Sequence, residues 1–158
     1  MFQKKKILTE KCGDNFSDKG IVNITSSSIN CSCYLPKNSV DLTNISNIFQ
    51  SKIVNSTIKY DFSNSKVQQA HYSIRNRRDS NNYHPSNWAF EESNSGSEKE
   101  NERIVLETLE GKDFSYKFEI YIRFRQTGPS SDNPAGFPVS AIEFFGSLLE
   151  RFLLNRYS

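Results

Sequence analysis

The chain has 158 residues, a formal net charge of +2 and an aromatic content of 13%, with 12 Phe and 7 Tyr but a single Met. A chain of this length forms one domain that buries roughly 70% of its unfolded surface, and a core rich in rings favours β-structure. The balance of 20 Lys and Arg against 18 Asp and Glu excludes the strongly basic surface typical of phosphate-backbone binding, so we expect no nucleic-acid partner.

Short strands separated by long loops are predicted in the first half of the chain. Ile21–Thr25 is an apolar, β-branched run, and Ile58–Phe62 alternates apolar with charged residues. The residues between them are mostly turn formers, which favours loops. The same two-residue period places Tyr72 and Ile74 on one face of a third strand and Arg75 on the other.

The second half begins with a polar loop, Arg77–Asn87, because its His84-Pro85 pair cannot belong to a central strand. Alternating apolar residues then predict further strands at Trp88–Phe90, Ile104–Leu109, Phe114–Phe124 and Val139–Gly146. Apolar residues recur at helical spacing in Ser147–Tyr157, which predicts a short C-terminal helix. About eight strands at roughly ten-residue spacing predict an all-β sandwich or jelly roll.

The chain offers no catalytic constellation. Its two histidines, His71 and His84, lie in no catalytic motif, and no Gly-x-Ser-x-Gly turn or phosphate-binding glycine loop is present. We therefore expect no enzymatic activity. Cys31 and Cys33 have zinc-ligand chemistry, but their spacing fits no common structural zinc site, which favours plain loop thiols.

The cysteine count and the first residues bear on the compartment. The third cysteine, Cys12, makes the number odd, so a disulfide framework cannot close and a reducing compartment is favoured. The first ten residues contain no apolar signal-peptide core, and no stretch approaches the ~20 apolar residues of a membrane span. We therefore expect a cytoplasmic protein without a transmembrane segment.

The segment Ser73–Asp79 carries three arginines where a strand gives way to a polar loop. Arginines in this position can present forked donors to sugar hydroxyls or carboxylates. The alternative is a solvated strand end in which an arginine pairs with Asp79. The sequence leaves both interpretations open.

A series of short motifs follows in order from about Lys19 to Leu148. The first four are an opening strand with a Ser-rich continuation, an Asn-x-x-Asp turn, a Tyr-Asp-Phe strand and a further strand, found in Ile21–Ser28, Pro36–Asp41, Ile58–Phe62 and His71–Arg75. The others are a Pro-x-x-Trp turn, a Ser-Asn-x-Gly turn and a closing pair of strands, found in His84–Trp88, Ser93–Gly96, Tyr121–Gly128 and Ala141–Gly146. In this order the motifs resemble the discoidin-like domains, also called coagulation factor 5/8 type C domains, of the galactose-binding-like fold. Leu8–Gly13 is similar to the lead-in of versions that follow a BTB-type module in large protist families.

The resemblance implies a lead-in over residues 1–18, a discoidin-like β-sandwich over 19–148 and a tail over 149–158. The chain departs from the family pattern at Thr57, where a Trp is usual, at Ser95, which replaces an Asp, and around Asn101–Ile104, where a second Trp is missing. In addition, Phe118–Ile120 runs straight into Tyr121 where the family inserts a turn. Either one strand spans Phe114–Arg125, or the hairpin is displaced.

The resemblance also implies a ligand site on loops at one end of the barrel. In the sugar-binding branch, arginines of an Ile-x-Asn-Arg stretch hold the ligand, and Arg75, Asn76 and Arg77 match that stretch after Ile74. The expected function is therefore a non-catalytic binding module for a carbohydrate, a lipid headgroup or a protein, and peripheral contact with a membrane stays open. The alternative is a diverged structural or protein-interaction domain without a small ligand.

A calcium loop is the only cofactor site that the resemblance implies, and no cofactor is expected to be required. Asn38, Asp41 and Thr43 fall on the spacing of the family's calcium loop, and Glu143 lies near its closing ligand. Calcium takes six to eight oxygen ligands, of which these residues supply four candidates.

Overall fold

A computed structural model describes residues 15–44, 46–62, 65–75, 85, 87–95, 104–108, 121–129 and 136–150. Within these ranges the chain forms nine β-strands and one 3-10 helix, Pro36–Val40. The strands are β1 (Asn23–Ser26), β2 (Phe49–Gln50), β3 (Thr57–Asp61), β4 (Ser65–Arg75), β5 (Trp88–Ser93), β6 (Ile104–Thr108), β7 (Tyr121–Gln126), β8 (Pro138–Val139) and β9 (Ala141–Glu150).

Five of the strands form an antiparallel sheet in the order β1-β3-β7-β5-β6. In its centre, Phe124 of β7 lies opposite Ile58 of β3 on one side and opposite Phe90 of β5 on the other. All three side chains are fully buried. Because side chains alternate along a strand, the neighbours of Phe124 on β7 point to the other face of the sheet.

A second antiparallel pair, β4 with β9, packs across this sheet. Phe144 of β9 lies opposite Tyr72 of β4. The Phe144 ring centroid is 5.0 Å from that of Tyr60, and the Tyr72 ring centroid is 4.9 Å from that of Phe124. Two layers of strands thus enclose one aromatic core, as the ring-rich composition predicts, and the predicted β-sandwich is confirmed. β2 and β8 form a short third pair.

The face of the five-stranded sheet that points away from the core holds a buried ion cluster. Glu91 of β5 lies directly opposite Arg123 of β7, and the two side chains are ion-paired at 3% and 4% exposure. Arg125 also binds Glu91, through its Nε at 2.8 Å from Oε1. Charged groups removed from water in this way require partners, so Glu91 is the shared partner of two guanidinium groups.

The predicted C-terminal helix is wrong over residues 147–150. β9 continues through Glu150, with Ser147 opposite Gln68 and Leu148 opposite Val67 on β4. The strand ladder satisfies the backbone groups of this segment, and Leu148 packs against the core, so tertiary pairing overrides the helical spacing of its leucines. The rest of the predicted helix lies outside the described residues.

A disulfide joins Cys31 to Cys33, where loop thiols are expected from the sequence. The Cα atoms of the two residues are 5.4 Å apart, within the range that a disulfide spans. A turn brings them together, because the main-chain N–H of Tyr34 donates to the carbonyl of Cys31 at 3.0 Å. The odd number of cysteines does not predict this disulfide, because the turn that brings the two residues together is not visible in a cysteine count.

Two predictions fall partly outside the described residues. β7 begins at Tyr121, so Phe114–Ile120 and the choice between one long strand and a displaced hairpin lie beyond what the structure describes. The same holds for Asn76 and Arg77. Within the described ranges, no helix has the length and apolar character needed to span a bilayer.

Candidate ligand-binding site

Several strand ends meet at one end of the sandwich. β1 ends where β3 begins, because Ser26 lies opposite Ile58, and β7 ends where β5 begins, because Gln126 lies opposite Trp88. β4 runs towards the same end, since the hydroxyl of Tyr72 accepts a 2.9 Å hydrogen bond from Nε1 of Trp88. The residue that ends β4, Arg75, therefore lies towards this loop end.

Arg75 is held against the loop that follows the 3-10 helix. Its Nη2 donates to the main-chain oxygen of Asp41 at 3.3 Å, and its own carbonyl accepts from the N–H of Ser140 at 2.9 Å. The buried Nε of Arg75 has no hydrogen-bond partner in the part of the chain that the structure describes. Arg75 therefore holds the main chain of Asp41 in place beside the end of β4.

Asp41 organises the adjoining loop. Its Oδ1 accepts hydrogen bonds from the N–H of Thr43 at 3.1 Å, the hydroxyl of Thr43 at 2.8 Å and the N–H of Asn44 at 3.0 Å. Its Oδ2 accepts from the side-chain amide of Asn47 at 2.8 Å. Partial burial alone would raise the pKa of Asp41, but these hydrogen bonds outweigh burial and hold the pKa below its usual value. The carboxylate is therefore charged and well satisfied at neutral pH.

Asn38 connects this loop to the segments on either side. It is 9% exposed, and its Nδ2 donates both to the carbonyl of Cys33 at 3.0 Å and to the carbonyl of Ile48 at 2.9 Å. Both N–H bonds of the amide are thereby used. Only Oδ1 of this side chain is left to face a ligand.

The opposite wall comes from the segment before β1. Asp18 and Lys37 form an exposed ion pair with 3.0 Å between Oδ1 and Nζ. Asn15 donates its side-chain amide to the carbonyl of Lys37 at 3.0 Å. These contacts dock residues 15–18 onto the start of the 3-10 helix.

The two walls enclose an open pocket of about 410 Å³. Every residue that lines it is polar or charged, and the lining comprises Asn15, Asp18, Lys19, Lys37, Asn38, Asp41, Thr43 and Asn47. Amides, hydroxyls, carboxylates and ammonium groups offer both donors and acceptors, which suits a ligand rich in hydroxyl groups. The pocket adjoins Arg75 through the main chain of Asp41.

The structure brings together three of the four predicted calcium ligands, Asn38, Asp41 and Thr43. Glu143 lies on β9 opposite Ser73, and it is not among the residues that line the pocket. Oδ1 of Asp41 already accepts three hydrogen bonds and Oδ2 accepts one, whereas Oδ1 of Asn38 is left for a ligand. The described ranges hold no group of three or more His, Cys, Asp or Glu residues that could bind a metal. This arrangement does not fit a calcium ion without rearrangement, and the calcium site stays a prediction.

The sequence motifs did not identify several pocket residues. Asn15, Asp18, Lys37 and Asn47 were not predicted as site residues, although Lys37 lies within the Pro36–Asp41 motif. Asn15 and Asp18 reach the pocket because the segment before β1 docks onto the 3-10 helix, and Asn47 reaches it through its hydrogen bond to Asp41. The only sequence signal for them is the density of Asn and Asp around a predicted turn, which is typical of loops in general.

Comparisons with solved structures support the architecture, whereas no protein-family model and no curated protein matches the chain. Among solved structures, a CBM32 module of Clostridium perfringens in complex with GalNAc-β-1,3-galactose is 12% identical, with a TM-score of 0.61 over 81% of this chain and 97% of that one. The chitosan-binding module 2 of a chitosanase/glucanase from Paenibacillus sp. IK-5, in complex with chitotriose, is 13% identical, with a TM-score of 0.60 over 80% and 97%.

The lectin domain of lectinolysin, complexed with Lewis B antigen, is 17% identical, with a TM-score of 0.58 over 79% of this chain and 92% of that one. All three neighbours are covered almost completely, so the likeness extends over a whole domain. The chain therefore has the discoidin-like galactose-binding fold, which confirms the fold that the sequence motifs imply.

Proposed function

We propose that this chain, a β-sandwich with the discoidin-like galactose-binding fold, is a non-catalytic module that binds a carbohydrate at its loop end. The observation that carries the proposal is the position of Arg75, which ends β4 beside the polar pocket and is bonded to its loop. Arg75 belongs to the Arg75–Arg77 stretch that resembles the arginines of the sugar-binding branch. A cytoplasmic location remains part of the proposal.

The chemistry of the pocket supports a sugar as the ligand. Sugar hydroxyls both donate and accept, and Asp18 and Thr43 offer acceptors beside the ammonium of Lys37 and the amides of Asn15 and Asn47. The volume of about 410 Å³ falls in the range of small-ligand sites. The solved neighbours, bound to an amino sugar disaccharide, chitotriose and a Lewis antigen, support the same class of ligand.

Replacing Arg77 by alanine should weaken glycan binding about ten- to a hundredfold without unfolding the protein. A forked, charge-assisted contact contributes roughly 1.5 to 3 kcal/mol, which corresponds to that loss of affinity. Arg77 is preferred to Arg75 for this test because Arg75 also holds the loop of Asp41. A glycan array with the purified chain identifies a glycan that binds, and calorimetric titration of that glycan measures the affinity of each variant.

The matched control is Arg78→Ala, which removes the same charge from the neighbouring position. The two-residue period of the sequence predicts that Arg77 shares the parity of Arg75 and that Arg78 does not, and both residues lie outside the described ranges. Equal losses in the two variants would show that diffuse positive charge, rather than a shaped site, binds the glycan. In that case the assignment of Arg77 is wrong.

A protein partner is the second candidate function, and exposed apolar side chains favour it. Ile53 is 54% exposed and Ile29 39% exposed. Their loops are joined, because Ser28 Oγ accepts from the N–H of Lys52 at 3.2 Å. This alternative would be favoured if no glycan on the array binds the chain. In addition, Ile53→Asp should then abolish self-association or the binding of a protein partner.

If the calcium site forms, adding calcium to chelator-treated protein should raise the melting temperature. A ligand that binds only the native state stabilises it by mass action. The ion would have to displace the donors that now occupy Asp41, Asn47 among them. Thermal unfolding with and without millimolar calcium measures the effect, and Asp41→Asn should remove it. An unchanged melting temperature would eliminate the site.

A further inference from the structure

The disulfide between Cys31 and Cys33 lies in an exposed turn. Cys31, Ser32 and Cys33 are all exposed, so a dissolved thiol can approach the bond. Only one residue separates the two cysteines, so after reduction the second thiol stays beside the first. The turn itself is held by the hydrogen bond from Tyr34 N–H to the carbonyl of Cys31 and by the N–H of Cys33, which lies 3.4 Å from Cys31 Sγ.

This turn is connected to the pocket through Asn38. The carbonyl of Cys33 accepts one of the two hydrogen bonds donated by the buried amide of Asn38, and the carbonyl of Ile48 accepts the other. On the far side of the turn, the N–H of Asn30 donates to the carbonyl of Gln50 at 2.9 Å. The cysteine turn is therefore anchored at both ends to the segment 48–50, and one anchor is a residue that lines the pocket.

We propose that Cys31 and Cys33 form a thiol-exchange site, whose bonded state holds the turn against Asn38 and whose reduced state releases it. This inference rests on the proposed cytoplasmic location, because an accessible disulfide in a reducing compartment is generally a transient or redox-responsive one. The exchange does not depend on glycan binding. It adds a covalent site that the motifs do not assign.

The exchange proceeds by two balanced steps with a small thiol such as glutathione. The thiolate of the first glutathione attacks one sulfur of the pair, which forms a mixed disulfide and releases the other cysteine as a thiolate. The thiolate of a second glutathione then attacks the sulfur of the first glutathione, so oxidised glutathione leaves and both cysteines are reduced after protonation. Two electrons pass from the two glutathione molecules to the protein disulfide. Oxidised glutathione drives the reverse reaction.

The test is a titration of the full chain, carrying Cys12→Ser to remove the third thiol, with buffers of varied ratio of reduced to oxidised glutathione. Each sample is quenched with iodoacetamide and digested, and mass spectrometry reports the alkylation of Cys31 and Cys33. We expect the two residues to change together, unmodified in oxidising buffers and doubly alkylated in reducing ones. Alkylation at every ratio would show that the bond does not form. No alkylation in fully reducing buffer would show that it does not exchange. Either result overturns the proposal.

Hydrogen exchange on the same samples tests the connection to Asn38. Reduction should cause a loss of amide protection in residues 36–50, while the central strands β5 and β7 stay protected. The double variant Cys31→Ser with Cys33→Ser should reproduce the reduced pattern in every buffer. Equal protection of residues 36–50 in the two redox states would show that the cysteine turn does not control the position of Asn38.

Discussion

Replacing Glu91 by alanine should lower the free energy of unfolding by about 3 to 5 kcal/mol, the usual cost of removing one partner from a buried ion pair. The side chains of Glu91 and Arg123 are only 3% and 4% exposed, and Arg125 shares the same carboxylate. Without Glu91, the guanidinium of Arg123 remains buried and loses its carboxylate. Urea denaturation followed by tryptophan fluorescence measures the change, because Trp88 lies on the same strand as Glu91.

The matched control is Asp18→Ala, which breaks the ion pair with Lys37. Both side chains of that pair are about half exposed. Exposed pairs contribute about 0 to 1 kcal/mol, so this variant should unfold close to the parent. If Glu91→Ala and Asp18→Ala cost the same small amount, the cluster on the outer face of the sheet is open to water and the described burial of Arg123 is wrong.

Replacing Gly136 by alanine should destabilise the fold by about 2 to 6 kcal/mol, because backbone strain and overpacking each cost about 1 to 3 kcal/mol. Gly136 has a φ of +103°, a region that side chains rarely tolerate. A Cβ added there would clash with the main-chain oxygen of Ser51. Relief of that clash would move a segment held by two further bonds, from Phe137 N–H to Ser51 Oγ at 2.7 Å and from Gln126 Nε2 to the Gly136 carbonyl at 3.1 Å.

Gly20→Ala separates the two causes, because Gly20 also has a positive φ, of +70°, but nothing lies within 4 Å of an added Cβ. It should cost only the conformational part, about 1 to 2 kcal/mol. Thermal unfolding of the two variants beside the parent measures the difference. Equal costs would mean that the loop of Gly136 moves freely away from Ser51, contrary to the described contacts.

The strands could be predicted where one face of the sheet is buried. Ile58, Tyr60 and Phe62 alternate with polar residues because only their face meets the core, so the period of two is visible in the sequence. The end of β9 could not be predicted in this way. Its leucines fit a helix as well as a strand, and only the pairing of Ser147 and Leu148 with β4 decides between them.

The candidate site was predictable only in part, because its residues come from segments far apart in the sequence. Arg75 and Asp41 were found through motifs, but their hydrogen bond depends on how β4 lies against the loop after the 3-10 helix. Asn47 has no motif, and Lys37 lies in the Pro36–Asp41 motif without matching a ligand position, so both were missed. The partnership of Glu91 with Arg123 likewise depends on the register of β5 and β7, which the spacing along the chain does not fix.

The most direct test of a carbohydrate site at the loop end is a chemical-shift titration of isotopically labelled protein. The probes are chitotriose, GalNAc-β-1,3-galactose and the strongest ligand from the glycan array. We expect saturable shifts of the amides of Arg75 and of residues 38–47 on addition of at least one of these glycans. Shifts confined to residues outside the pocket and Arg75, or no shifts with any of the glycans, would contradict the proposed function.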